Sequence, residues 1–235
     1  MASGLLTKFS KSYSIKATIE YINALRNVLG DNGVLTVLRE AGMLKKIATP
    51  VGKGKRVIIS YDEFSALNYA IERIYGPQGL IVVAHQASRK SFLPSFQAYT
   101  EISRIQHPDF QNLPLEKKLF FGLLSIGQVL ERVSNQKITV EDKGDYYLFL
   151  ISDCVACWQR TSHVPICYYQ TGLIRGGLEW ITQGADFPIH EETCIARGDE
   201  RCGFLIRKKP YTREEKGSGI TSYLTRASSM FDQNR

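Results

Sequence analysis

From Ile15 onward, apolar residues recur at three- and four-residue steps: Ile19, Ile22, Leu25, Val28 and Leu29. That spacing predicts one face of an amphipathic helix. Gly30-Asp31-Asn32-Gly33 interrupts it. Val34, Leu35, Val37, Leu38 and Ala41 then restart it before Gly42, which reads as a stop signal. Residues 115–136 predict another helix, with Leu119, Leu123, Ile126, Leu130 and Val133 along one face. Strands are predicted at 137–141 and 146–151, joined through Asp142-Lys143-Gly144-Asp145 as a hairpin. An amphipathic helix follows over 165–182, with Pro165 suited to its first turn. Strands at 187–196 and 201–207 close the pattern around a turn at 197–200. The order is a helical front half, then ββαββ.

The helix–Gly–x–x–Gly–helix unit occurs twice. Residues 72–87 repeat the pattern of residues 26–41, with Gly76 and Gly79 matching Gly30 and Gly33. Glycines at such places suit a positive φ. Between the copies, residues 51–60 read as a glycine-basic loop and a short strand, without the second half of a phosphate-binding loop. Helix and loop are expected over 92–114. Residues 1–14 are expected to form a flexible arm, and 209–235 a flexible basic tail. The remainder, 15–208, is expected to fold as a single domain, split into a helical front half (15–114) and a metal-binding half (115–208).

Composition narrows the class. The chain has 235 residues, 43% hydrophobic and 23% charged, which suits a globular protein. No apolar run reaches the roughly 18–20 residues of a membrane helix, so at most peripheral membrane contact is expected. No secretory leader is apparent, and a cytoplasmic setting is the default. The net charge of +7 invites nucleic acid as a partner. The basic residues are scattered, however, and no binding motif accompanies them, so none is expected.

The five cysteines change the picture most. They fall as Cys154-x2-Cys157-x9-Cys167-x26-Cys194-x7-Cys202. An odd number confined to residues 154–202 argues for a local site rather than a disulfide framework. Cys154 and Cys157 follow the second strand of the ββαββ unit. Cys167 sits at a helix N-terminus, and a hairpin brings Cys194 near Cys202. Four thiolates in tetrahedral array suit zinc. Cys167, Cys194 and Cys202 are three of the expected ligands. Cys157 is taken as the fourth, with Cys154 as the alternative. Buried structural cysteines without a metal are the competing reading.

Two segments carry a family resemblance. Pro165-Ile-Cys167-Tyr-Tyr-Gln-Thr-Gly172-Leu-Ile-Arg-Gly176 resembles the P-x-C-x4-G-x3-G segment of the 4-vinyl reductase (hydrocarbon-binding) domain family. Glu192-Thr-Cys194-Ile-Ala-Arg-Gly198-Asp-Glu-Arg-Cys202-Gly-Phe204 resembles its closing E-x-C-x3-G-x3-C-x-F segment. The resemblance implies an α/β (α+β) fold, with helices packed on a small antiparallel sheet as in vesicle-tethering transport-particle subunits and aromatic-sensor ligand domains. It also implies dimerisation, as a homodimer or with a similar domain. In the sensors, cysteines matching Cys167, Cys194 and Cys202 bind zinc beside a pocket for a hydrophobic small molecule. A carboxylate earlier in the chain supplies their fourth ligand; here the Cys154/Cys157 pair would replace it. The doubled helical unit and basic tail resemble photosynthetic, cyanobacterial-type members linked to tetrapyrroles. This chain lacks the ATPase and DNA-binding domains of the activators.

These readings predict a non-catalytic binding module for a hydrophobic small molecule. The ligand class is a tetrapyrrole, either a chlorophyll precursor or a bilin. The module would assist pigment biosynthesis or photosystem assembly, with proteins of those processes as partners. Phe149, Trp158, Tyr168 and Tyr169 are the candidate ring contacts and Arg175 a candidate partner for a ligand carboxylate; all five read equally as core or surface residues. A subunit or catalyst of tetrapyrrole vinyl reduction is the alternative, although no nucleotide, flavin or iron–sulfur signature is found. A protein-tethering adaptor is the second alternative.

Overall fold

A computed structural model of the chain describes residues 11–48 and 59–212. A short strand, β1 (Ser12–Tyr13), leads into helix α1 (Ile15–Glu40) and the small α2 (Leu44–Ala48). Strand β2 (Ile59–Ser60) leads in the same way into α3 (Tyr61–Phe96). The short α4 (Thr100–Ser103) and α5 (Pro108–Gln111) then lead to α6 (Leu115–Val133). After it come β3 (Lys137–Asp142), β4 (Tyr146–Ser152), α7 (Tyr168–Ile181), β5 (Ile189–Thr193) and β6 (Cys202–Arg207).

The repeated unit extends further than its glycines. Tyr13 pairs with Ile59, 46 positions on, in the antiparallel β1–β2 ribbon. Ser14 and Ser60, also 46 apart, cap α1 and α3, each Oγ accepting a backbone N–H three residues ahead. Ser60 and Glu63 complete a reciprocal capping box. Gly30 and Gly76 then adopt nearly the same backbone, φ 71°, ψ 174° and φ 73°, ψ 175°. Each interrupts its helix at a single residue, so the expected helix–turn–helix is a kinked helix. Gly33 and Gly79 remain helical and do not share the positive φ. The glycine-basic loop lies outside the described residues, apart from the predicted strand at Ile59–Ser60.

Helix α7 lies between α3 and α6, and its surroundings explain its glycines. A Cβ on Gly172 would stand 2.3 Å from the His85 carbonyl oxygen, and one on Gly176 would stand 2.3 Å from that of Arg89. Both pairs are four residues apart, so one ridge of each helix meets along a matched turn. On another side, a Cβ on Gly177 would crowd Ile126 and Phe92. Residues 168–178 are all buried. The expected amphipathic helix is therefore apolar all round, because helices flank it on more than one side. It also begins three residues after Pro165, which precedes the helix instead of opening it.

The sheet is antiparallel throughout, in the order β3-β4-β6-β5. Phe149, Ile151, Phe204 and Ile206 point from its two central strands into the core. Helices packed on a small antiparallel sheet are the predicted α+β class. At the chain's start, residues 12–13 are strand rather than arm; residues 1–10 and 213–235 lie outside the described residues.

Candidate metal centre

The predicted register brings the C-terminal end of β4 beside the start of β6, where Ile151 pairs with Cys202. The loop leaving β4 turns sharply through Asp153, at φ 55°. Gln136 fastens this loop, its Oε1 accepting from Val155 N at 3.0 Å and from Gln170 Nε2 at 3.1 Å. Ser65 Oγ donates to Trp158 O at 2.8 Å, and Arg160 is paired with Glu72. Cys154 and Cys157 are thus carried on a segment tied to α3, α6 and α7.

The opposite wall is the turn from β5 to β6. A bulge between Glu191 and Thr193 re-aims the end of β5. Cys194 therefore stands just past the strand, as the first residue of a tight 3₁₀ turn over Ile195–Arg197. Asp199 Oδ2 accepts from Cys194 N at 2.8 Å and from Arg197 Nε at 2.9 Å. Ile195 N donates to Cys202 Sγ at 3.3 Å. Cys167 enters from the start of α7, its backbone N–H donating to Glu191 Oε2 at 2.7 Å.

All five sulfurs are buried and meet in one cluster. Sγ separations are 3.6 Å for Cys154–Cys167, 3.5 Å for Cys157–Cys202, 3.7 Å for Cys167–Cys202 and 3.8 Å for Cys167–Cys194. Tetrahedral zinc with Zn–S near 2.3 Å requires sulfurs about 3.8 Å apart, which these spacings match closely. Two sets of four donors lie within 4.8 Å of one another: Cys154, Cys157, Cys167 and Cys202, and Cys167, Glu191, Cys194 and Cys202. Zinc or a similar soft divalent ion fits the first set as four thiolates, the second as three thiolates and a carboxylate.

Glu191 is the donor that sequence reasoning missed. A signal existed: Glu191 shares strand parity with buried Ile189, so its side chain points to the same face. Its Oε1 is buried with no hydrogen-bond partner. Burial pushes its carboxyl well above the ordinary range, and the nearby Cys194 sulfur adds to the push. Burial likewise pushes the Cys167 thiol up, reinforced by the other four sulfurs. Without a cation, these groups cannot all be charged together; a divalent ion removes that conflict.

The candidate ligand contacts have separate surroundings. Tyr169 lies among Tyr13, Tyr21 and Phe64, its hydroxyl 2.7 Å from that of Tyr13. Tyr168, next to it on α7, is buried. Trp158 stands edge-on to Tyr61 with the Lys11 ammonium over its ring. Phe149 lies on β4 against α6. Arg175 is bidentate to Asp186, at 2.6 and 2.8 Å. The structure brings the cysteines together; it does not gather these five side chains around one cavity.

Comparison with known proteins accords with this geometry. An uncharacterized protein of Methanocaldococcus jannaschii, MJ0745, is 36% identical over 56 residues, covering 24% of this chain and 30% of its own length. The chain thus spans under a third of that relative. Among solved structures, one from work on heme distortion in the H-NOX family aligns with TM-score 0.52 and 15% identity, over 85% of this chain and 98% of its own. A point mutant of the T. tengcongensis H-NOX protein aligns with TM-score 0.52 and 16% identity, over 84% and 100%. At such identities the likeness concerns the fold. The 4-vinyl reductase domain model matches residues 149–208, which include all five cysteines and Glu191, and the chain therefore carries a 4-vinyl reductase domain over that segment.

Proposed function

We propose that this chain is a non-catalytic binding module for a hydrophobic small molecule, its ligand-binding half held together by a cysteine-ligated zinc centre. The convergence of five buried sulfurs at tetrahedral spacing carries the metal half of this reading. A site filled by protein donors with no open position is structural rather than catalytic. The ion would join the β4 loop, the start of α7 and the β5–β6 turn, three segments distant in sequence.

The ligand half rests on the 4-vinyl reductase domain match and on a fold shared with H-NOX proteins, a family that includes heme-containing members. A tetrapyrrole is the ligand class we favour. The rings of Tyr13, Tyr21, Phe64 and Tyr169 meet where α1, α3 and α7 converge, and a flat conjugated ligand would enter by displacing them. Tyr168, Trp158 and Phe149 would then form the walls around that position, and Arg175 would meet a ligand carboxylate only by releasing Asp186. Pigment biosynthesis or photosystem assembly as the setting, a cytoplasmic location and pairing with a second such domain follow from the resemblance of residues 165–176 and 192–204. Among the described residues, no helix is long and apolar enough to cross a membrane.

The test is titration of the full chain with protoporphyrin IX, chlorophyllide and biliverdin, followed by visible absorbance and by emission of Trp158 and Trp180, the two tryptophans. A saturable band shift at one ligand per chain is expected for one of the three. No shift with any of them would remove the tetrapyrrole reading. Vinyl-group turnover with added reductant would move the chain to the enzyme class.

A further inference from the structure

Six donors surround the cysteine cluster, yet a tetrahedral ion uses four. The two four-donor sets share Cys167 and Cys202, whose sulfurs are 3.7 Å apart. Cys154 and Cys157 lie to one side of that shared edge, Cys194 and Glu191 to the other. Two tetrahedra with a common edge require this arrangement: two bridging thiolates, each shared by both ions, and two terminal donors for each ion.

From this geometry we infer a dinuclear centre, in which two divalent ions such as zinc are bridged by Cys167 and Cys202. Cys154 and Cys157 terminate one ion; Cys194 and Glu191 terminate the other. The inference deepens the proposed metal-centred reading and rests on it. Glu191 gives it a second, independent support. Its Oε2 is engaged by the Cys167 amide, while its Oε1 is buried without a hydrogen-bond partner. A buried carboxylate oxygen with no donor costs stability unless something positive faces it. With one ion in the four-thiolate set, that oxygen and the Cys194 sulfur remain unused; a second ion employs both. The protons these donors carry in the metal-free protein pass to solvent when the ions bind.

The position of the bridges also suits two ions. Cys167 and Cys202 come from the start of α7 and the start of β6, and the Ile195 amide supports the Cys202 sulfur. A thiolate shared by two cations carries less excess charge than one bound terminally, so bridging offsets the crowding of five sulfurs in a buried volume.

Native mass spectrometry of the full chain under excess zinc, with ¹¹³Cd NMR of the cadmium-loaded protein, tests the inference. Two ions per chain and two cadmium resonances, one for four sulfurs and one for three sulfurs and an oxygen, are expected. The Cys194→Ser/Glu191→Gln double variant should hold one ion and keep only the four-sulfur resonance. Saturation of the wild type at one ion would overturn the dinuclear inference while leaving the single-ion reading intact. Two ions in both wild type and double variant would also overturn it, since the second ion would then sit elsewhere. No bound ion would sink both this inference and the metal reading beneath it.

Discussion

Replacing Gly176 by alanine tests the packing that holds the two halves of the molecule together. The new Cβ would stand 2.3 Å from the Arg89 carbonyl oxygen and 3.0 Å from the Arg89 Cα and carbonyl carbon. Carbon atoms in contact rest about 3.5–4.0 Å apart. Helices α7 and α3 would therefore need to separate by several tenths of an ångström or more. Helix α7 has little room to retreat, because Gly177 already meets Ile126 and Phe92 on another side. Overpacking of this kind costs about 1–3 kcal/mol, and a rigid backbone obstacle places it at the upper end. Alanine recovers about 1 kcal/mol of helix propensity. The expected net loss is about 2 kcal/mol, or roughly 4–8 °C in Tm for a chain of this size. Thermal and urea unfolding measure it. Gly144→Ala is the control: its Cβ would meet nothing within 4 Å, and only its positive φ carries a cost. A Gly176→Ala protein as stable as wild type would refute the close approach of α7 to α3.

Other perturbations separate the remaining contributions. Arg175→Met strands the Asp186 carboxylate and should cost about 3–5 kcal/mol, whereas Arg175→Met/Asp186→Leu should recover much of it, as read from urea midpoints. Tyr13→Phe leaves the buried Tyr169 hydroxyl without its partner, a loss of about 1–2 kcal/mol that the Tyr13→Phe/Tyr169→Phe pair should reduce. Burial holds the His85 imidazole down to a pKa of about 3, with Arg175 and Arg89 adding to the effect. The unfolded chain takes up this proton below about pH 6.5 and the folded chain does not, so stability falls between pH 6.5 and about 3, by up to about 1.4 kcal/mol per unit. His85→Gln should flatten that slope relative to wild type; parallel slopes for the two proteins would exclude His85 as its source.

The sheet-bearing half was the more legible in sequence. The period-two runs at 137–142 and 146–152 are local signals, and both strands form as read. The cysteine spacing was legible for the same reason: a turn at 197–200 must bring Cys194 toward Cys202. The continuity of α1 and α3 was less legible. A Gly-x-x-Gly sequence is compatible with a full turn or with a single residue out of helix, and the chain takes the second course at Gly30 and Gly76. The start of α7 was misplaced because Pro165 suits a first turn, yet Cys167 is pulled into the cluster and the helix begins after it. Glu191 was passed over because a charge in a strand reads as solvent-facing. Only the bulge before Thr193 and the nearby sulfurs give that carboxylate its place. The aromatic candidates fared differently, since composition gathers rings within a segment but topology sends Phe149, Trp158 and Tyr169 to different neighbours.

Zinc content per chain, measured with thermal stability on the same samples of wild type and Cys202→Ser, tests the central claim most directly. Cys202 belongs to both donor sets, so no alternative set of four survives its loss. The account predicts bound zinc in the wild type, and its loss together with a lower Tm in the variant. Wild-type protein prepared without chelator that carries no metal, or a variant that retains both zinc and stability, would contradict it.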